Sequence, residues 1–196
     1  DPRVGAGETF LDSGLDTNSG IISRLTKTAT GSDKVDLVRG LPRSEENHAS
    51  NGMQLDAATN TLYVAQGGNT NAGAPSDNFA YTPEYALSAA ILKIDLNAIN
   101  ALPTKTDALG QVYKYDLPTV NDPTRANNPD GTEPNDPFGG NDGLNQAKLV
   151  PGGPVQIYAP GYRNAYDIVI AQSGKMYTFD NGANPYAFAG LIPNTV

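Results

Sequence analysis

Residues 159 to 184 read "APGYRNAYDIVIAQSGKMYTFDNGAN", and two polar clusters there, Tyr162-Arg163-Asn164 and Asp180-Asn181-Gly182, carry groups able to do chemistry. A guanidinium meets oxyanions through paired, charge-assisted hydrogen bonds. Carboxylate and amide oxygens crowded into a loop suit a hard cation such as Ca²⁺. A third group lies far upstream: His48, the only His in 196 residues, follows Asn47. An imidazole titrates near neutral pH and so can accept or give up a proton there.

These residues need elements to position them. Ile168, Val169 and Ile170, then Met176, Tyr177 and Phe179, form two strand-like runs about the turn Gln172-Ser173-Gly174, which predicts a β-hairpin. Both polar clusters fall at the ends away from that turn. Arg163 and Asn164 are therefore expected beside Asp180, Asn181 and Gly182 on one rim of a sheet, where sites are commonly built. The same residues also have plain structural uses, since Asp-Asn-Gly makes turns and an Arg at a strand end pairs with a carboxylate or with water.

Composition narrows the field. Only 38% of the residues are hydrophobic, and 21 Gly with 15 Pro point to many turns and few long helices, hence an all-β fold. The net charge of −8, without a Lys/Arg cluster, lacks the electrostatic footprint of a nucleic-acid binder. Cysteine is absent, which removes disulfides, thiolate metal sites and cysteine nucleophiles together. No run approaches the roughly 20 apolar residues of a membrane span. The opening Asp1-Pro2-Arg3, with no initiator Met, leads us to expect a processed or partial chain. A hydrolase finds little support: Glu45-Glu46 are adjacent and would point apart in an extended segment, and no nucleophile elbow, phosphate loop or zinc motif is present.

Strands are predicted over 20–26, 34–41, 52–56, 61–67, 90–96, 111–117, 155–161, 167–171 and 175–180. One short helix is predicted over Pro83 to Ala90, "PEYALSAA", with Pro in the first turn. An internal repeat joins "NHASNGMQLDAATNTLYVAQGGN" (47 to 69) to the segment at 159 to 184. Each copy has a polar pair, an apolar strand, a polar turn, a strand with Tyr63 or Tyr177, and a later Gly. The copies are further apart than a propeller blade of about 40 to 50 residues, and one insertion accounts for the excess. That insertion covers about residues 97 to 154, with a centre rich in Pro, Asn, Asp and Gly, and is expected to lie outside the sheet as an irregular excursion. Without it, four strands starting at 52, 61, 90 and 155 separate one polar pair from the next, the pattern of an antiparallel β-propeller blade. The whole chain, 1–196, reads as a single partial propeller domain whose loops bring His48, Arg163 and Asn164 together.

With those residues in hand, the chain resembles the soluble glucose and sorbosone dehydrogenase family, β-propellers that use pyrroloquinoline quinone. The match is carried by "NHASNGMQLDAATNTLYVAQGGN", "AAILKIDL", "PDGTEPNDPF" and "APGYRNAYDIVIAQSGKMYTFDNGAN". The resemblance implies a six-bladed ring, of which this chain supplies about three blades, the rest coming from further chain or a partner. It implies His48 as the general base that takes a proton from a sugar or alcohol hydroxyl while hydride passes to the quinone. Arg163, Asn164 and Asn181 would hold the cofactor, and Asp180, Gly182 and Ala183 a Ca²⁺ ion acting as Lewis acid. Export to the periplasm or the cell exterior follows from the same likeness. Two positions depart from it: Gly68-Asn69 stands where the family usually has Gly-Asp, and Ala89-Ala90 where it has Gly-Lys. A second function therefore stays open, a non-catalytic, Ca²⁺-stabilised propeller module of a large extracellular protein, serving adhesion, carbohydrate binding or assembly.

Overall fold

A computed structural model describes residues 18–44, 48–74, 83–107, 109–121 and 145–182. Among them the chain is all-β apart from one short helix. The strands are β1 (Gly20–Lys27), β2 (Ser32–Leu41), β3 (Ser50–Asp56), β4 (Thr61–Gln66), β5 (Ala90–Asp95), β6 (Lys105–Thr106), β7 (Val112–Asp116), β8 (Thr119–Asn121), β9 (Asn145–Ala147), β10 (Val155–Pro160), β11 (Ala165–Ile170) and β12 (Met176–Asp180). The helix, α1 (Leu96–Ala101), follows β5. All nine predicted strands are present, within about two residues at most ends.

The central sheet has the order β10-β5-β4-β3, every pair antiparallel. It is built from the four strands that the repeat marked out. The β3–β4 turn is set locally: Asp56 accepts from Ala58 N at 3.0 Å and Thr59 Oγ1 at 2.8 Å, and Asn60 takes φ 55°, a left-handed conformation that Asn tolerates better than most residues.

Side chains of β4 and β5 alternate between two cores, because both faces of the sheet are covered. Val64, Leu92 and Ile94 pack with Ile22, Leu37, Val38 and Leu41 of the β1–β2 sheet. Ala65 and Ile91 pack on the opposite side with Ala165 and Ile168 of β11. Two sheets and the β11–β12 hairpin thus form successive layers, with the middle one buried on both sides. Where β3 meets β11 the backbones come so close that a Cβ on Gly52 would lie 2.6 Å from the Asp167 Cα. Only glycine fits there.

Two expectations need correction. The stretch from 97 to 154 is not irregular throughout: it holds most of α1 and all of β6 to β9, and β7 joins the order β1-β2-β7-β6 by pairing parallel with β2. The cause is long-range. Arg39 on β2, 1% exposed, donates from Nε to Asp116 Oδ1 at 2.6 Å, from Nη2 to Asp116 Oδ2 at 3.1 Å and from Nη1 to Asp107 Oδ2 at 2.8 Å. Its guanidinium also lies 3.6 Å from the centroid of the Tyr113 ring. Burial works against the charge, and the two carboxylates more than offset it. The insertion's Asp/Pro-rich centre, 122–144, lies outside the described residues.

The second correction concerns 83–90: residues 83–89 form a turn and not a helix, and Ala90 begins β5. Leu87 and Ala89 adopt φ 74° and 52°, which no right-handed helix allows. Ser88 accepts from Tyr85 N at 3.0 Å through its hydroxyl, a side-chain alternative to helical bonding. Leu87, 1% exposed, is held in the core by this turn. The helix forms instead just after β5, where Asp95 caps it by accepting from Ala98 N at 3.0 Å.

Candidate functional site

The rim of the central sheet and the start of the hairpin meet at Gly67. A Cβ there would lie 2.7 Å from the His48 Cβ and 2.7 Å from Asn164 Oδ1, so these two predicted site residues converge on a position that must stay small. Backbone bonds close the junction: Gly67 N donates to Ala49 O at 2.9 Å and Gly68 N to Arg163 O at 2.8 Å.

His48 is 2% exposed. Its loop is tied by His48 N to Ser44 Oγ at 2.8 Å and Ser44 N to His48 O at 2.7 Å. Nδ1 lies 3.0 Å from Gly68 O. A carbonyl can only accept, so Nδ1 carries the proton and the neutral ring keeps its lone pair on Nε2. Burial pushes the imidazole below its ordinary pKa, and the Arg163 charge adds to this; the Gly68 carbonyl, Glu84 and Asp180 pull the other way. At neutral pH the ring is a neutral base.

Asp180 organises the hairpin's open end. Its Oδ2 accepts from Arg163 N at 2.8 Å and its Oδ1 from Asn164 N at 2.7 Å. Asn181 N donates to Asn164 O at 3.3 Å. The Arg163 side chain turns to Asn71, with Nε 2.7 Å from Oδ1. Ala183 lies outside the described residues. Sequence reasoning placed Arg163, Asn164, Asp180 and Asn181 on one rim, and the structure brings them together with His48.

Beside this cluster opens a cavity of about 410 Å³, lined by Glu84, Ala89, Tyr162, Arg163, Asp180 and Gly182 among others. Its size falls within the range of small-molecule sites. His48 is not among the lining residues. The walls carry one guanidinium and two carboxylates, so an anionic ligand fits best together with a cation. The oxygens of Asp180 and Glu84 are hard donors suited to Ca²⁺. Among the described residues no three His, Cys, Asp or Glu side chains form a metal-binding group, and a Ca²⁺ ion here would draw on carbonyl oxygens as well.

Two contributors escaped the sequence reading. Asn51 Nδ2 donates to Asn164 Oδ1 at 2.7 Å and to Ala165 O at 3.0 Å, yet nothing local distinguishes it from a turn residue. Glu84 accepts from Asn69 N at 3.0 Å through Oε2, and from Thr70 Oγ1 and Ser88 Oγ; assigning 83–90 to a helix hid it. Comparison with known proteins finds no matching family model and no similar curated protein or solved structure.

Proposed function

We propose that the chain is part of a β-propeller of the kind used by quinone-dependent sugar and alcohol dehydrogenases, exported to the periplasm or cell exterior, with the rim around Gly67 as its ligand-binding end. The observation that carries this reading is the convergence of His48 and Asn164 on Gly67, with Asp180 holding the Arg163 and Asn164 amides and Arg163 and Asp180 lining the adjoining cavity. Layering supports it too. The polar pair and hairpin occur twice, as β3–β4 and β11–β12, and the two hairpins stack through Ala65 and Ala165. On the outer side of β11–β12, Val169, Tyr177 and Phe179 remain 54%, 55% and 63% exposed, an apolar face of the kind a further blade would cover.

In this reading Arg163 binds a carboxylate of pyrroloquinoline quinone, Asn164 and Asn181 complete its setting, and Asp180 with the 182–183 backbone holds Ca²⁺. The bound quinone would supply the hydride acceptor. His48 takes the hydroxyl proton of the sugar or alcohol on Nε2, the nitrogen that its bond to Gly68 leaves basic.

A non-catalytic module is the second reading, favoured by the burial of His48 away from the cavity wall and by the use of both Asp180 oxygens on backbone amides. Quinone-dependent dye reduction separates the two. A dehydrogenase reduces dye, His48→Ala lowers turnover by about 10²- to 10⁴-fold, and Arg163→Ala weakens quinone affinity first, with activity partly restored at high quinone. A module reduces none.

A further inference from the structure

The geometry points to Glu84 as a positioning residue that sets the tautomer of His48. The proposal deepens the reading of His48 as a base and depends on it for functional meaning, although its test does not. Glu84 touches the loop whose carbonyl holds the ring. Its carboxylate accepts from Asn69 N at 3.0 Å and from the Thr70 hydroxyl, clamping the two residues that follow Gly68. Ser88 Oγ donates to the same carboxylate and fixes it from the other side.

Gly68 is left no freedom. A Cβ at that position would meet Glu84 Oε1 at 2.7 Å, Arg163 O at 3.0 Å and the Ala89 Cβ at 3.1 Å, so the peptide is wedged between the Glu84 side chain and the Arg163 backbone. Gly68 N is bound to Arg163 O, and Gly68 O faces His48 Nδ1 at 3.0 Å. Free neutral histidine in water favours the opposite tautomer, with the proton on Nε2 and no lone pair there to receive another. Holding the Gly68 carbonyl in place therefore selects the form that can act as a base through Nε2.

The chain has a single His, which makes the test direct. Long-range ¹H–¹⁵N correlation spectra of the ¹⁵N-labelled protein at neutral pH distinguish protonated from unprotonated ring nitrogens. The wild type should show Nδ1 protonated and Nε2 bare. Glu84→Ala should lose that signature in favour of mixed tautomers or Nε2–H, while Glu84→Gln, which keeps one acceptor oxygen, should retain it in larger part. A folded Glu84→Ala protein with the wild-type tautomer overturns the proposal. If Glu84→Ala does not fold, Thr70→Val combined with Ser88→Ala decides instead: the Nδ1–H signature should weaken, and an unchanged ring would equally overturn it. Absence of dye reduction in the wild type defeats the dehydrogenase reading and leaves the tautomer result standing.

Discussion

Asn51 donates through Nδ2 to Asn164 Oδ1 at 2.7 Å, across 113 positions of sequence. The amide's orientation is fixed by its second acceptor, Ala165 O at 3.0 Å, which can take only a donor. This one side chain ties the first strand of the central sheet to the start of the hairpin. Asn51→Ala strands two acceptors in a part-buried site and should lower unfolding free energy by about 1–3 kcal/mol, read from urea titrations. A loss within about 0.5 kcal/mol, the scale of an ordinary surface change, would show that the bond is not formed in solution.

Gly52 tests the layering where β3 meets β11. Its missing Cβ leaves room for the Asp167 backbone, 2.6 Å from where that carbon would sit. Gly52→Ala should cost about 1–3 kcal/mol through overpacking, with the amide shifts of β3 and β11 moving together. Stability equal to or above wild type would place the hairpin elsewhere.

Arg39 shows which parts of this fold were legible in the sequence. Strand identity was readable from β-branched and aromatic runs, including β7, and so was the four-strand order of the central sheet, from the repeat. Partner choice for β7 was not, because it rests on one buried Arg on β2 meeting Asp107 and Asp116 far along the chain. The 83–89 turn was missed for a similar reason: its apolar spacing suits a helix, and the left-handed Leu87 is held by core burial that no local pattern announces. At the site, Arg163, Asn164, Asp180 and Asn181 were legible through turn geometry, and His48 through the repeat. Glu84 and Asn51 act across loops and left no local mark.

Removing the Arg39 guanidinium leaves the carboxylates of Asp107 and Asp116 facing each other without their shared cation. Arg39→Ala should therefore destabilise by about 3–5 kcal/mol in denaturant titrations, and Arg39→Met, which restores apolar volume, by less. Near-wild-type stability in Arg39→Ala would show that β7 is not anchored in this way.

His48 gives a pH dependence of defined sign. Its folded pKa lies below the ordinary value of 6.5, so below that pH the unfolded chain binds a proton that the folded chain resists. Stability should be unaffected by this group above about pH 6.5 and should fall as pH drops from there towards the folded pKa. His48→Gln should flatten that limb, measured as melting temperature from pH 7.5 to 5. An identical slope in the variant would mean that His48 is not buried as a neutral ring.

Titration of pyrroloquinoline quinone into the protein, with saturating Ca²⁺ and again with chelator, bears most directly on the proposed function. The cavity walls carry two carboxylates and one guanidinium, so the account predicts saturable binding only when Ca²⁺ is present, weakened at least tenfold, about 1.4 kcal/mol, by Arg163→Ala. No binding with Ca²⁺, or binding indifferent to both Ca²⁺ and Arg163, would contradict it.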